Sequence, residues 1–216
     1  MFSRIRVLIW DFDGTLYKPD LALFATVREA EYRTIQKHTG WDREKIIEEF
    51  TKLHKKVYPS ATETVAKLIG LTTTQAALEM ENYFDRRKYL QKDERLIALF
   101  QSLKSYTHYI LANGTRTHLE ETLAVLGISK NTFQEIVTSE ITGENKPSPL
   151  GFQYILNKTT LPPDQHLMIG DRELVDLAPA KELGMKTCLV WSDKTSDIAD
   201  ATLPDVYSLP ANLTIE

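Results

Sequence analysis

Apolar residues cluster between Ile5 and Phe12, in the stretch "IRVLIWDF", which predicts a first strand. A long block with helical periodicity follows. It begins near Pro19 and runs to Gly40, the order expected for the start and stop of a helix. "WDREKIIEEFTKLHKKV" places Ile46, Ile47, Phe50, Leu53 and Val57 on one helical face. "SATETVAKLIG" opens on Ser60 and Glu63, the spacing of a capping box, and closes at Gly70. "TTTQAALEMENYFDRR" predicts a fourth helix.

From about Asp93 the pattern changes. Helix-like segments alternate with short apolar runs: "THYILA", "FQEIVTS", "QHLMIG" and "KTCLVW", with an edge strand expected near Ala201. Strands alternating with helices predict a parallel sheet covered on both faces, an α/β core to which the first strand also belongs. The helical block is then an insertion just after that strand.

At 216 residues, 42% hydrophobic and 26% charged, the chain is long and apolar enough for one core domain with a smaller insertion. A net charge of -4 gives no reason to expect nucleic acid as partner. The single cysteine, Cys188, excludes an intrachain disulfide and a cysteine metal cluster, and its strand-like surroundings predict a buried, inert thiol. The N-terminus lacks a signal-peptide pattern, and no run approaches the roughly 18 apolar residues of a membrane span. The expected setting is cytoplasmic, with no membrane partner.

In an open parallel sheet, ligands bind beyond the carboxyl ends of the strands. Asp11, Asp13, Gly14 and Thr15 follow the first strand, and Asn113 to Arg116 follow "THYILA". Lys146 and Pro147 follow "EIVTS"; Asp171, Arg172, Glu173 and Asp176 follow "LMIG". Taken singly, each has an ordinary explanation as a cap, a turn or a solvated charge. Together they deliver acids, an amide and a lysine to one edge.

Side chains alternate along a strand, so residues i and i+2 face the same way and Asp11 and Asp13 can approach one reacting group. Two close carboxylates favour one keeping its proton, which predicts an anionic nucleophile beside an acid. Asp11 and Asp171, with a backbone carbonyl and waters, suit a hard octahedral ion such as Mg²⁺ better than Zn²⁺, because these segments carry no His or Cys. Lys146, held extended by Pro147, would supply further positive charge. Gly14 permits close backbone approach.

At "DFDGTLY", "NKPSP" and "GDRELVD" the sequence resembles the haloacid dehalogenase superfamily, across the whole core. The resemblance implies a Rossmann-like three-layer α/β core with a parallel sheet (residues 1–17 and 92–216) and an inserted all-α cap domain (18–91). It implies a Mg²⁺-dependent phosphatase acting on a small phosphate monoester, a nucleotide or sugar phosphate. Asp11 would attack phosphorus, and Asp13 would act as acid and then base. Asp11, the Asp13 carbonyl and Asp171 would hold Mg²⁺, with Asp176 orienting its water. Lys146 and Asn113 would hold phosphate oxygens. Dehalogenases of the family lack the second aspartate, so Asp13 favours phosphoryl transfer. One motif departs: "YILANGTR" has Ala112 where the family has Ser or Thr, and Asn113, the Gly114 N–H or Thr115 is left to compensate. A phosphomutase, or a phosphate- or partner-binding protein that keeps the fold, are the rival readings. Tyr17 and Lys18 are expected at the entrance. Arg33, Lys52, His54, Tyr58, Tyr83 and Arg87 are candidate selectors, though each fits a solvated or packing role better.

Overall fold

The computed structural model describes residues 2–57 and 60–214, with Val57 described by its backbone alone. Tyr58 lies outside the described residues. The chain divides into two units, Met1–Lys18 with Leu90–Glu216, and Pro19–Tyr89.

The first unit is built on a six-stranded sheet in the order β3-β2-β1-β4-β5-β6. Its strands are β1 (Val7–Trp10), β2 (Thr107–Leu111), β3 (Glu135–Val137), β4 (His166–Gly170), β5 (Lys186–Leu189) and β6 (Ala201–Thr202). Every pairing is parallel. The strand order reverses beside β1, so the carboxyl ends of β1 and β4 flank the crevice where such sheets bind ligands. All four β1 side chains are buried, as a central strand covered on both faces requires. Alternation sends Val7 and Ile9 into a core with Phe152 and Ile155 of α8 (Leu150–Thr159). It sends Trp10 to the other face, against Phe100 of α5 (Glu94–Ser102), with ring centroids 5.1 Å apart.

The polar ring atoms of the buried Trp10 and His108 are satisfied. Trp10 Nε1 donates to His108 Nδ1 at 3.1 Å, and His108 Nε2 lies 3.0 Å from the Leu103 carbonyl. That pair fixes the neutral Nε2–H tautomer, and burial holds the imidazole below its usual pKa. Cys188 is buried, which pushes its thiol up to about 12.

Two local expectations differ from the structure. The segment after β4 is not one α-helix. A π-helical turn at Glu173–Leu177 precedes α9 (Ala178–Glu182). Pro179 has no N–H to offer, and the Ala178 N–H bonds back to Glu173 instead, which widens the turn. The Ser60 cap is one-way: Ser60 accepts from the Glu63 N–H at 3.1 Å, while Glu63 pairs with Lys67 at 2.7 Å. The reciprocal capping box lies one helix later, between Thr72 and Gln75.

The second unit contains α1 (Leu21–Thr39), α2 (Arg43–Val57), α3 (Ala61–Ile69) and α4 (Thr73–Met80). They bury Ile35, Ile46, Phe50, Val65 and Met80 together. Ile47 lies outside that stripe and is exposed. Several candidate selectors engage within the unit: Arg33 with Glu29, Lys52 with Glu49 and Arg87 with Asp85. His54 stacks on Phe50, its Nδ1 3.1 Å from the Thr64 hydroxyl.

Glu31 is buried in α1. Arg28 Nη1 lies 2.8 Å from its Oε2 but is not aligned as a hydrogen bond. Burial, only partly opposed by Arg28, pushes the carboxyl up to about 7. A folded pKa above the unfolded one means this group favours folding at low pH, and that contribution is lost as pH rises toward 7. Glu31→Gln should therefore gain stability relative to the parent between about pH 4.5 and 7. The gain, read from urea unfolding at both ends of the window, should reach roughly 3 kcal/mol.

Candidate active site

The site grows from the end of β1. The Asp11 N–H still pairs with the Ile169 carbonyl at 2.9 Å, and the chain then turns. Thr15 and Leu16 N–H groups both bond the Phe12 carbonyl, at 3.2 and 3.0 Å. The turn gives each acid a hydroxyl four residues on. Thr15 donates to Asp11 Oδ2 at 2.8 Å, and the buried Tyr17 hydroxyl donates to Asp13 Oδ1. Asp11 is buried and Asp13 is exposed, so the two acids have different surroundings despite their spacing.

Lys146 closes the site. Its ammonium lies 2.6 Å from Asp11 Oδ1 and 2.7 Å from Asp176 Oδ1, fully buried. Its backbone is clamped by Asn113, whose Oδ1 accepts from the Lys146 N–H at 2.7 Å while its Nδ2 donates to the Lys146 carbonyl at 2.8 Å. The Asn113 side chain thus spends both ends of its amide on the Lys146 backbone, a positioning contact that the sequence pattern does not reveal. Ala112 is buried, with its N–H bonded to the Val137 carbonyl at 3.1 Å. Gly114 is buried at the approach to α6 (Arg116–Leu126). From the next strand end, Asp176 Oδ2 accepts from the Arg172 N–H at 3.1 Å.

Two glycines make this crowding feasible. Gly14 has φ +94°, and a Cβ there would stand 2.4 Å from Asp171 Oδ2. At Gly170 a Cβ would meet the Asp176 Cβ at 2.5 Å. Oxygens of Asp11, Asp171 and Asp176 all lie within 4.8 Å of one another.

Burial works against the Asp11 charge, but Lys146 and Arg172, with hydrogen bonds from Lys146 and Thr15, outweigh it and hold the carboxyl below its usual range. Burial and then the Asp11 charge raise Asp176. Burial, followed by the Asp11 and Asp176 charges, pushes Asp171 up to about 8. Asp11, with its charge held by Lys146 and Thr15, thus sits among acids whose carboxyl pKa values are raised. The crowded acids are Asp11, Asp171 and Asp176, and Asp13 stands outside that group. Asp171 Oδ1 is buried without a hydrogen-bond partner. The Arg172 Nε lies 3.8 Å from Asp171 and 3.9 Å from Asp176, too far to complete them. An all-oxygen cluster short of positive charge, with an unpartnered carboxylate oxygen, fits a hard divalent cation.

Sequence reasoning found the acids and the lysine but gave no role to the Thr15 hydroxyl and placed Tyr17 only at an entrance. The i,i+4 spacing of Asp11 with Thr15 and of Asp13 with Tyr17 is the signal that was available.

A parallel sheet with acids at the ends of β1 and β4 and a buried lysine between them defines a class. The chain belongs to the haloacid dehalogenase-like hydrolase family, whose model matches residues 5–184. It is 35% identical over 99 residues to the glyceraldehyde 3-phosphate phosphatase of Methanocaldococcus jannaschii, covering 46% of this chain and 41% of that one. The chain thus spans under half the length of that relative. Against the enzyme of the same name from Methanopyrus kandleri it is 25% identical, covering 94% of this chain and 91% of the other. A HAD phosphatase from Thermococcus onnurineus superposes with a TM-score of 0.68 at 19% identity, covering 96% and 97% of the two chains. The magnesium-bound HAD-hydrolase YfnB of Bacillus subtilis gives 0.58 at 22%, covering 98% and 100%. These two share the fold. Among the described residues no helix is long and apolar enough to cross a membrane.

Lys146→Met should leave Asp11 and Asp176 without their shared counter-charge. The expected loss is about 3–5 kcal/mol in urea unfolding. Adding Asp11→Asn to that variant should recover part of it, because one of the stranded charges is then gone.

Proposed function

We propose that this chain is a Mg²⁺-dependent phosphatase that hydrolyses a small phosphate monoester through an aspartyl-phosphate on Asp11, in a cytoplasmic setting. The observation that carries the reading is the setting of Asp11: gripped by Lys146 and Thr15, with its oxygens within 4.8 Å of those of Asp171 and Asp176.

Asp11 and Asp171, with the Asp13 carbonyl, are the proposed holders of the ion, and Asp176 stands behind them on Lys146. When bound, a hard divalent ion would neutralise phosphate oxygens and hold phosphorus in line with the nucleophile. An Asp11 oxygen attacks phosphorus, and the bond from phosphorus to the ester oxygen breaks. Asp13, exposed and oriented by Tyr17, gives that leaving oxygen its proton. The Asp13 carboxylate then takes a proton from water as the water attacks the same phosphorus. Inorganic phosphate departs and Asp11 is regenerated. Lys146 stabilises charge on the transferring group. Since Asn113 is committed to Lys146 and position 112 lacks a hydroxyl, the Gly114 N–H ahead of α6 is the proposed second phosphate donor.

The helical unit, spliced in between Lys18 and Leu90, is the proposed substrate-selecting cap. The relatives named for glyceraldehyde 3-phosphate make three-carbon phosphates the first esters to try, with nucleotides and sugar phosphates alongside. The thin phosphate cradle favours one second reading, a phosphate-binding protein without turnover.

With Mg²⁺, p-nitrophenyl phosphate should be hydrolysed, and EDTA should abolish turnover. Asp11→Asn should lower kcat/KM by about 10³-fold or more. Turnover that survives Asp11→Asn removes Asp11 as nucleophile. Phosphate binding without turnover across the ester panel selects the second reading.

A further inference from the structure

We propose that Trp191 is a positioning residue for the nucleophile turn, fixing Phe12–Leu16 from behind and so setting the approach of Asp11 to phosphorus. This rests on the phosphatase reading of Asp11. The indole Nε1 donates to the Thr15 carbonyl at 3.0 Å. The hydroxyl of the same Thr15 donates to Asp11 Oδ2 at 2.8 Å. One residue separates the indole from the nucleophile, and it is held at both ends.

The backbone supports a positional role. Trp191 has φ +59°, a region that suits glycine and that bulky residues seldom adopt. Such a conformation persists when its surroundings over-determine it. On one side the Val190 N–H bonds the Gly170 carbonyl at 3.0 Å, and on the other the Ser192 N–H bonds the Leu203 carbonyl at 3.2 Å. These bonds anchor the bend to the end of β4, next to Asp171, and to Leu203 just after β6. The bend carries a tryptophan where glycine would sit without strain, and its ring reaches across 176 positions of sequence to Thr15.

The indole is itself backed. Its ring meets Tyr207 edge-on, with centroids 5.7 Å apart. The Tyr207 hydroxyl donates to Asp93 Oδ2 at 2.5 Å, and the Arg95 guanidinium covers the Tyr207 ring at 3.9 Å. Asp93 in turn caps α5, accepting from the Arg95 and Leu96 N–H groups at 2.9 and 3.0 Å. The turn being braced contains Gly14 at φ +94°, a residue that adds conformational freedom next to the nucleophile. An external brace offsets that freedom, and small displacements of a nucleophile cost rate steeply.

Trp191→Phe and Trp191→Gly, in the full chain, test this by steady-state hydrolysis of p-nitrophenyl phosphate and by amide hydrogen exchange over residues 12–17. Phe keeps a ring and loses the donor; Gly loses both but relieves the positive φ. In each variant kcat should fall about tenfold or more, with KM changed less than about twofold. Exchange at Thr15 and Leu16 should accelerate. A tryptophan that only packs would lower the melting temperature and leave kcat and the exchange of the turn at parental values, and that result overturns the proposal. If Trp191→Gly does not fold, Trp191→Phe decides. If the parent hydrolyses no ester, the phosphatase reading has failed on its own, and exchange at Thr15 and Leu16 still judges the brace: faster supports it, unchanged overturns it.

Discussion

One buried ammonium among three carboxylates is the constraint on which the rest of this molecule turns. Lys146 touches Asp11 and Asp176 directly, and Asp171 lies within the same group of oxygens. Stranding a buried charge by removing its partner costs about 3–5 kcal/mol, so this arrangement cannot be assembled loosely. The neighbours are arranged to hold it: Asn113 grips the lysine backbone, Thr15 grips Asp11, and the Arg172 N–H grips Asp176. Lys146 and the more distant Arg172 are the two cations facing three acids. Burial and the Asp11 and Asp176 charges push the Asp171 carboxyl up to about 8, and one of its oxygens has no partner. A hard cation bound there would replace the proton of that carboxyl.

The fold delivers these groups because the strand order reverses beside β1, between β1 and β4. Asp11 and Asp171 are 160 positions apart in the chain, yet they follow adjacent parallel strands in register, with Trp10 opposite Ile169. A glycine lets the backbone close in each time: Gly14 against Asp171, Gly170 against Asp176. A side chain at either position would push the carboxylates apart. The widened turn before Pro179 belongs to the same design, since it carries Asp176 at the point where the backbone is neither strand nor ordinary helix.

Much of this was legible in the sequence. The alternation of apolar runs and helices specified a parallel sheet, and the polar residues after each run specified its working edge. Strand and helix periods are legible because backbone geometry alone sets them. Contacts where two elements meet carry no such period. The amide of Asn113 suggests a phosphate ligand in the sequence, and its grip on a backbone 33 positions away is visible only in the fold. Spacing alone pairs Asp11 with Asp13; that the fold buries Asp11, exposes Asp13 and gathers Asp11 with Asp171 and Asp176 depends on strands far apart in the chain. Trp191 had no local signal, since its link to Thr15 exists only once β5 and the turn after β1 are placed side by side. The capping box misplaced at Ser60 shows the same limit at short range, because Glu63 had a lysine four residues on to choose instead.

The charge deficit is the central claim, and proton release on cation binding tests it most directly. Titration calorimetry of Mg²⁺ into the metal-free protein at pH 7, repeated in buffers of differing ionisation enthalpy, counts the protons expelled. Displacement of the proton on Asp171 should release close to one per ion, and Asp171→Asn should release almost none. Binding with no dependence on buffer, or no binding at all, would contradict the account.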